Sequence, residues 1–275
     1  SILGYDPFSV YTGRGPFEAL GLGMDLKPGD IAFRGNFATI NDNMVVIDRR
    51  AGRIETGQKE LAESLNMEID GVEIFVKEGV EHRVGVVFRG DNLSPYVSDV
   101  DPHSENVKIH EAKPLKEEAR KTADIVNKFV KKSYEILNRH PVNRKRMEEG
   151  KSPANVVLLR GAGIVPSLEN FGKKYGLKAG CIVGVPLISG ICKLAGIETI
   201  QVPGATGTVN TNMENKVKYA IESLKNYDFI LMNIKATDIA GHDGKPLLKK
   251  EIIEREDKAF EPLLKIIDDT RSEEH

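Results

Sequence analysis

The sequence predicts an α/β protein, a doubly wound core interrupted by an inserted α+β domain. Three observations carry that expectation. From Asn155 onward short apolar runs alternate with helical patterns, which argues for parallel strands covered on both faces. Between residues 35 and 160 the runs come instead as strand pairs around a short helix, followed by one long amphipathic helix. A length of 275 residues leaves room for one large or two medium domains. The core is therefore assigned to residues 1–34 and 161–275 and the insertion to 35–160.

The opening forty residues are rich in Gly and Pro. Asp30 to Thr39 and Met44 to Asp48 then read as strands around a turn at Asn41-Asp42-Asn43. Gln58 to Asn66 places Leu61 and Leu65 at helical spacing, and Val72 to Lys77 and Arg83 to Arg89 read as strands. Together they form a small β-β-α-β-β unit. Residues 91 to 115 are polar, contain Pro95, Pro102 and Pro114, and read as a long loop, which is functional or mobile when a compact domain contains one. Leu115 to Arg139 is the clearest helix, with Ala119, Ala123, Val126, Phe129, Val130, Tyr134 and Leu137 on one face and a solvated Lys/Glu face opposite. The alternating part has strands at Val156 to Leu159, Ala179 to Val183, Thr199 to Val202 and Tyr227 to Ile234. Helices near Pro166 to Tyr175, Pro186 to Ala195 and Asn215 to Lys225 fall between them.

With 40% hydrophobic and 29% charged residues the chain reads as an ordinary globular protein. A formal net charge of −2 offers no global basic field, so nucleic acid is not an expected partner. The most apolar run, Ala179 to Cys192, is interrupted by Gly and Pro and is too short to span a bilayer. No signal-peptide pattern opens the sequence, and the expected location is the cytoplasm. Cys181 and Cys192 form no metal or disulfide framework and read as buried free thiols.

Two constellations point to chemistry. In Lys235-Ala236-Thr237-Asp238-Ile239-Ala240-Gly241-His242, a carboxylate and an imidazole stand four residues apart just beyond an apolar strand, at the sheet end where ligands gather. Asp238 and His242 suit a divalent ion such as manganese or zinc, with Gly241 letting the backbone turn so that they converge. The alternative is an exposed turn with an incidental Asp and His. In Asp48-Arg49-Arg50-Ala51-Gly52-Arg53, three guanidinium groups crowd a strand end; such forks bind phosphate and carboxylate oxygens, although pairing with Glu55 on the surface is the alternative. His82 and Arg83 open the next hairpin strand, and Asp99, Asp101 and His103 lie in the long loop, where they can complete a pocket beside the arginines. Arg160-Gly161-Ala162-Gly163 reads either as a loop facing an anion or as a hinge. Pro203 to Thr208 lacks the Lys-Ser/Thr ending of a phosphate-binding P-loop.

These phrases, together with Gly4-Tyr5-Asp6-Pro7, Gly13-Arg14-Gly15-Pro16-Phe17-Glu18-Ala19-Leu20-Gly21, Phe37-Ala38-Thr39 and Pro203-Gly204-Ala205-Thr206-Gly207, occur in an order that resembles the archaeal cofactor-independent phosphoglycerate mutases of the alkaline phosphatase superfamily. The resemblance implies an alkaline-phosphatase-like core and an isomerase of glycolysis and gluconeogenesis. Such an enzyme interconverts 3- and 2-phosphoglycerate through a phosphoserine, without bisphosphoglycerate. It implies divalent metal, two Mn2+ by preference with Mg2+, Zn2+ or Co2+ as substitutes. Asp238 and His242 would be metal ligands, and Arg49, Arg50, Arg53, Arg83, Asp99, Asp101, His103 and Arg160 would hold the substrate. The nucleophilic serine is expected upstream of Ser1 and the remaining metal ligands beyond His275, so no catalytic nucleophile is assigned and the 275 residues by themselves are expected to be inactive. The expected partner is a small phosphoglycerate, with no nucleic acid and no membrane, and the expected state is a monomer or small homo-oligomer. The competing readings are another phosphomonoesterase or phosphomutase of the superfamily, such as a phosphopentomutase, and a non-catalytic phosphometabolite-binding module.

Overall fold

In the computed structural model, which describes residues 2–270, the chain forms two compact units, 1–167 and 168–275. The first runs α1 (Pro7–Val10), α2 (Gly15–Gly21), β1 (Ile31–Ile40), β2 (Val46–Asp48), α3 (Gln58–Glu63), β3 (Met67–Ile69), β4 (Val72–Glu78) and β5 (Arg83–Arg89). A 3-10 turn at Glu117–Ala119 then leads into α4 (Arg120–Leu137), α5 (Pro141–Glu148) and β6 (Val156–Gly163). β1 starts before residue 35 and β6 continues past residue 160, so both strands run across the expected boundaries.

β1 is the organising strand of a six-stranded sheet, antiparallel to β2, β5 and β6. Its side chains alternate, as the two-residue period of a strand requires. One face packs Phe33 and Phe37 with Val84, Val86 and Phe88 under α4, where the Phe33 and Phe88 rings lie 4.8 Å apart and Phe88 meets Phe129 edge-on at 5.9 Å. Each such buried ring stabilises the unit by about 1.5–3 kcal/mol. The opposite face is closed only in part by α2, through Ala19 against Ala32 and Val87. That helix can approach because Gly15 has no side chain; a Cβ there would sit 2.0 Å from the Ala32 carbonyl oxygen.

Arg160 to Gly163, expected as a loop or hinge, is strand. Gly161 takes φ +61° beside a register shift between Ala32 and Arg34, so its glycine serves a bulge rather than ending the strand. The long segment 91–115 is irregular, as expected, yet firmly tethered. Thr122 accepts from the Ser94 amide, Asn127 pairs both ways with Ala112, and the Val100 amide donates to Leu159 on β6.

The second unit runs α6 (Phe171–Tyr175), β7 (Ala179–Ile182), α7 (Pro186–Leu194), β8 (Glu198–Thr199), α8 (Met213–Ser223), β9 (Phe229–Met232), α9 (Ala236–His242) and α10 (Pro246–Thr270). Its strands pair in parallel, as the alternation predicts, in the order β8-β7-β9; Val156 to Leu159, expected among them, instead pairs antiparallel with β1 in the first sheet. Met213 and Val217 of α8, Ala236 and Ala240 of α9, and Ile252 and Ala259 of α10 form its helical core. Among the described residues no helix is long and apolar enough to cross a membrane. Cys181 and Cys192 are buried and free.

Candidate anion site and candidate metal ligands

The face of the first sheet that α2 leaves partly open collects charge. Arg34 on β1 stands directly opposite Arg160 on β6, and Asn36 on β1 opposite Arg83 on β5. Arg34 pairs with buried Glu18 of α2 at 3.3 Å. Arg83 Nη1 donates to the Asn36 side-chain oxygen at 2.8 Å. Burial together with the neighbouring Arg34 and Arg160 pulls the Arg83 pKa down to about 9, so it remains a cation at neutral pH, but a poorly solvated one.

The tethered loop brings three more residues to this face. Arg49 donates to both oxygens of Asp101, at 2.9 and 2.6 Å, and Arg160 Nε lies 3.4 Å from the same carboxylate. Asp101 also accepts the His103 backbone amide and has no exposed surface. Burial works to raise its pKa, but the Arg49 fork and that amide hold it below the ordinary carboxylate value. Its lone pairs are committed to arginines, so it orients guanidinium groups rather than facing a ligand hydroxyl. Asp99 is more open; it accepts the Gly161 amide at 2.8 Å and meets His103 Nε2 at 3.4 Å. Because Arg49 is donor-only, its 3.3 Å contact with His103 Nδ1 places the imidazole proton on Nε2, toward Asp99.

Arg50 and Arg53 ride a strained turn. Asp48 accepts the amides of Arg50 and Gly52, at 2.7 and 2.6 Å, and buried Arg146 of α5 grips the Ala51 carbonyl at 2.9 Å. Ala51 and Arg53 take φ of +46° and +54°, and His103 and Glu81 are left-handed too. Such non-glycine positions mark a geometry that the surroundings impose, and Met44, Asp70, Asn92 and Asn106 adopt it elsewhere in the unit. His82 lies beneath, 4% exposed, with neither ring nitrogen hydrogen-bonded and the Glu81 carboxylate 3.7 Å away. Burial first, then Arg83, Arg50, Arg53 and Arg34, push its pKa down to about 2.

In the second unit Asp238 and His242 lie on successive turns of α9, their Oδ1 and Nε2 atoms 3.6 Å apart. Gly241 is inside the helix and turns nothing; helical periodicity brings the pair together. Metal bonds of about 2.1 Å place two ligands of one ion roughly 3.0–3.5 Å apart, so the 3.6 Å pair lies just beyond the spacing of two members of one shell. Lys235 contacts the other Asp238 oxygen and holds the carboxyl below its ordinary pKa, while His242 is well exposed. Among the described residues no group of three or more His, Cys, Asp or Glu gathers as a metal site, and His275 lies outside them.

Residues 1–143 match the family model of 2,3-bisphosphoglycerate-independent phosphoglycerate mutase, and residues 104–272 match that of the Metalloenzyme superfamily. The chain belongs to the 2,3-bisphosphoglycerate-independent phosphoglycerate mutase family. Family members of that name from Picrophilus torridus and Methanocaldococcus jannaschii are 54% and 53% identical over 98% and 94% of the chain. The chain spans 66% and 64% of their respective lengths. The solved cofactor-independent phosphoglycerate mutase of Thermoplasma acidophilum is 42% identical, with a TM-score of 0.65 over 97% of this chain and 69% of its own. A solved Pyrococcus horikoshii protein reaches 0.77 at 36% identity, over 96% and 62%.

Within this mutase-family chain, sequence reasoning missed Arg34, Asn36 and Glu18. The signal was present as Arg and Asn at i and i+2 in an otherwise apolar ten-residue strand. It also missed Lys216, fully buried in the apolar stripe of α8. Its ammonium donates to the Asn233 carbonyl at 2.9 Å and approaches that of Thr206 at 3.3 Å, tying the end of β9, just before α9, to the preceding loop.

Proposed function

We propose that this chain is part of a metal-dependent phosphoglycerate mutase. In this reading the first unit holds the phosphate and carboxylate of 3- or 2-phosphoglycerate, and the second contributes two metal ligands. The observation that carries it is the arginine-lined sheet face: half-buried Arg83 is bonded to a neutral amide, and Arg50 and Arg53 are presented on a turn with left-handed Ala51 and Arg53. Charge-assisted, bidentate hydrogen bonds there suit a ligand with an anion at each end. Arg49 and Arg160 are oriented by Asp101, and Asp99, the more open acid, is placed to accept from a glycerate hydroxyl. Asp238 and His242 would hold a divalent ion, manganese by preference, which lowers a nucleophile's pKa and offsets phosphoryl charge when bound. The transfer itself follows the phosphoserine route that the family resemblance implies, and the neighbouring free thiols Cys181 and Cys192 suit a reducing, cytoplasmic setting.

With Mn2+ and no bisphosphoglycerate, the protein carrying this sequence is expected to convert 3-phosphoglycerate to 2-phosphoglycerate, followed by 31P NMR, and chelator is expected to stop it. Release of inorganic phosphate as the main product would instead make it a phosphomonoesterase. Ligand binding that survives chelator without turnover would make it a binding module.

A further inference from the structure

We propose that Asn36 is a positioning residue for the arginine site, and that it is an amide rather than an acid so that it orders guanidinium groups without neutralising them. The inference rests on the phosphoglycerate reading and deepens it. Asn36 is 2% exposed and joins elements far apart in sequence. Its side-chain oxygen accepts from Arg83 Nη1 at 2.8 Å and faces Arg160 Nη2 at 3.5 Å, while its side-chain nitrogen donates to the Arg49 carbonyl at 3.2 Å. The orientation of the amide is fixed by chemistry: guanidinium groups only donate and a carbonyl only accepts. One side chain thus ties β1 to β5, to β6 and to the turn that carries Arg49, Arg50 and Arg53.

The contrast with Asp101 and Glu18 gives the amide its meaning. Those acids orient Arg49, Arg160 and Arg34 and offset part of their charge. Arg83 is held by Asn36; among the described residues no carboxylate lies within ion-pairing distance of it, and Glu18 acts on it only from further away. A carboxylate at position 36 would keep the same shape, give up the donation to the Arg49 carbonyl, satisfy Arg83 permanently, and compete with an incoming anion for the same donors. The neutral acceptor leaves the full cationic charge of Arg83 for the ligand.

The test is Asn36→Asp, compared with the unaltered chain for 3-phosphoglycerate affinity by calorimetry, alongside thermal unfolding. The affinity is expected to fall by at least about tenfold, because a charge-assisted contact is offset. The unfolding midpoint is expected to hold or rise. Glycerate, with a single negative charge, is expected to lose much less than phosphoglycerate, a difference that simple distortion of the site would not produce. Unchanged phosphoglycerate affinity, or equal losses for both ligands, would overturn the proposal. Should Asn36→Asp not fold, Asn36→Ala removes the shared acceptor without adding charge; it too is expected to weaken binding, and unaltered affinity would refute the proposal. If the unaltered chain fails to bind phosphoglycerate at all, the functional reading fails instead, and the two failures are distinguishable.

Discussion

Replacing Arg83 with Met is expected to cost this protein about 3 kcal/mol of phosphoglycerate binding, a loss on the order of 100-fold, while leaving the unliganded fold as stable as before or more so. The opposite signs follow from one fact. Arg83 is a largely buried cation bonded to a neutral amide, with burial and flanking arginines already pulling its pKa down to about 9. Without ligand it is a poorly solvated charge that Glu18 offsets only from a distance, which costs folding energy, and an apolar side chain of similar volume relieves that cost. With an anion present, the same desolvation strengthens the contact. Arg83→Lys keeps the charge but loses the planar fork, so it should recover only part of the affinity. Calorimetry and thermal unfolding on the same variants check both halves. A variant that melts lower and binds normally would show Arg83 to be structural.

The second large effect is a loss of stability in mild acid. His82 is buried as a neutral ring, with its pKa lowered to about 2 from an ordinary 6.5. Below pH 6.5 the unfolded chain therefore takes up a proton that the folded chain does not. Stability is complete above about pH 6.5 and declines as pH falls, at about 1.4 kcal/mol per pH unit, giving about 2 kcal/mol by pH 5. Asp101, held below its ordinary value, contributes in the same direction but only at lower pH, where carboxylates protonate. His140 is also lowered, by burial, so the informative quantity is the difference between the protein and His82→Gln. Between pH 6.5 and 5 the unaltered protein should lose roughly 4–8 °C in unfolding midpoint. His82→Gln should lose clearly less; identical slopes would mean that His82 is not buried neutral.

Much of the architecture was legible because periodicity reports it directly. The strand over Arg83–Arg89 and the parallel order of the second unit follow from apolar runs and their alternation with helices. What escaped was set by tertiary context. The three-residue β3 and the short α5 and α9 carry too few residues for a periodic signal. Gly161 and Gly163 read as a loop, yet the strand continues through them because β1 supplies the hydrogen bonds on one side. In the candidate site, residue types were readable and pairings were not. No spacing rule tells that Asp101 is consumed by Arg49 across 52 residues, or that Asn36 meets Arg160 across 124. Arg34 and Asn36 were hidden in a strand read as core, although their alternation assigns them to one face. Asp238 and His242 were found by spacing, but their geometry comes from a helix rather than from a turn at Gly241.

In the proposed reading the guanidinium-lined face of the first unit recognises a ligand with a phosphate at one end and a carboxylate at the other. Its most direct test is calorimetric titration of the chain with 3-phosphoglycerate, glycerol 3-phosphate and glycerate in parallel. 3-Phosphoglycerate is expected to bind at least about tenfold more tightly than either ligand lacking one anionic group, since each anionic group adds a charge-assisted contact. Glycerol 3-phosphate binding as tightly as 3-phosphoglycerate would contradict it.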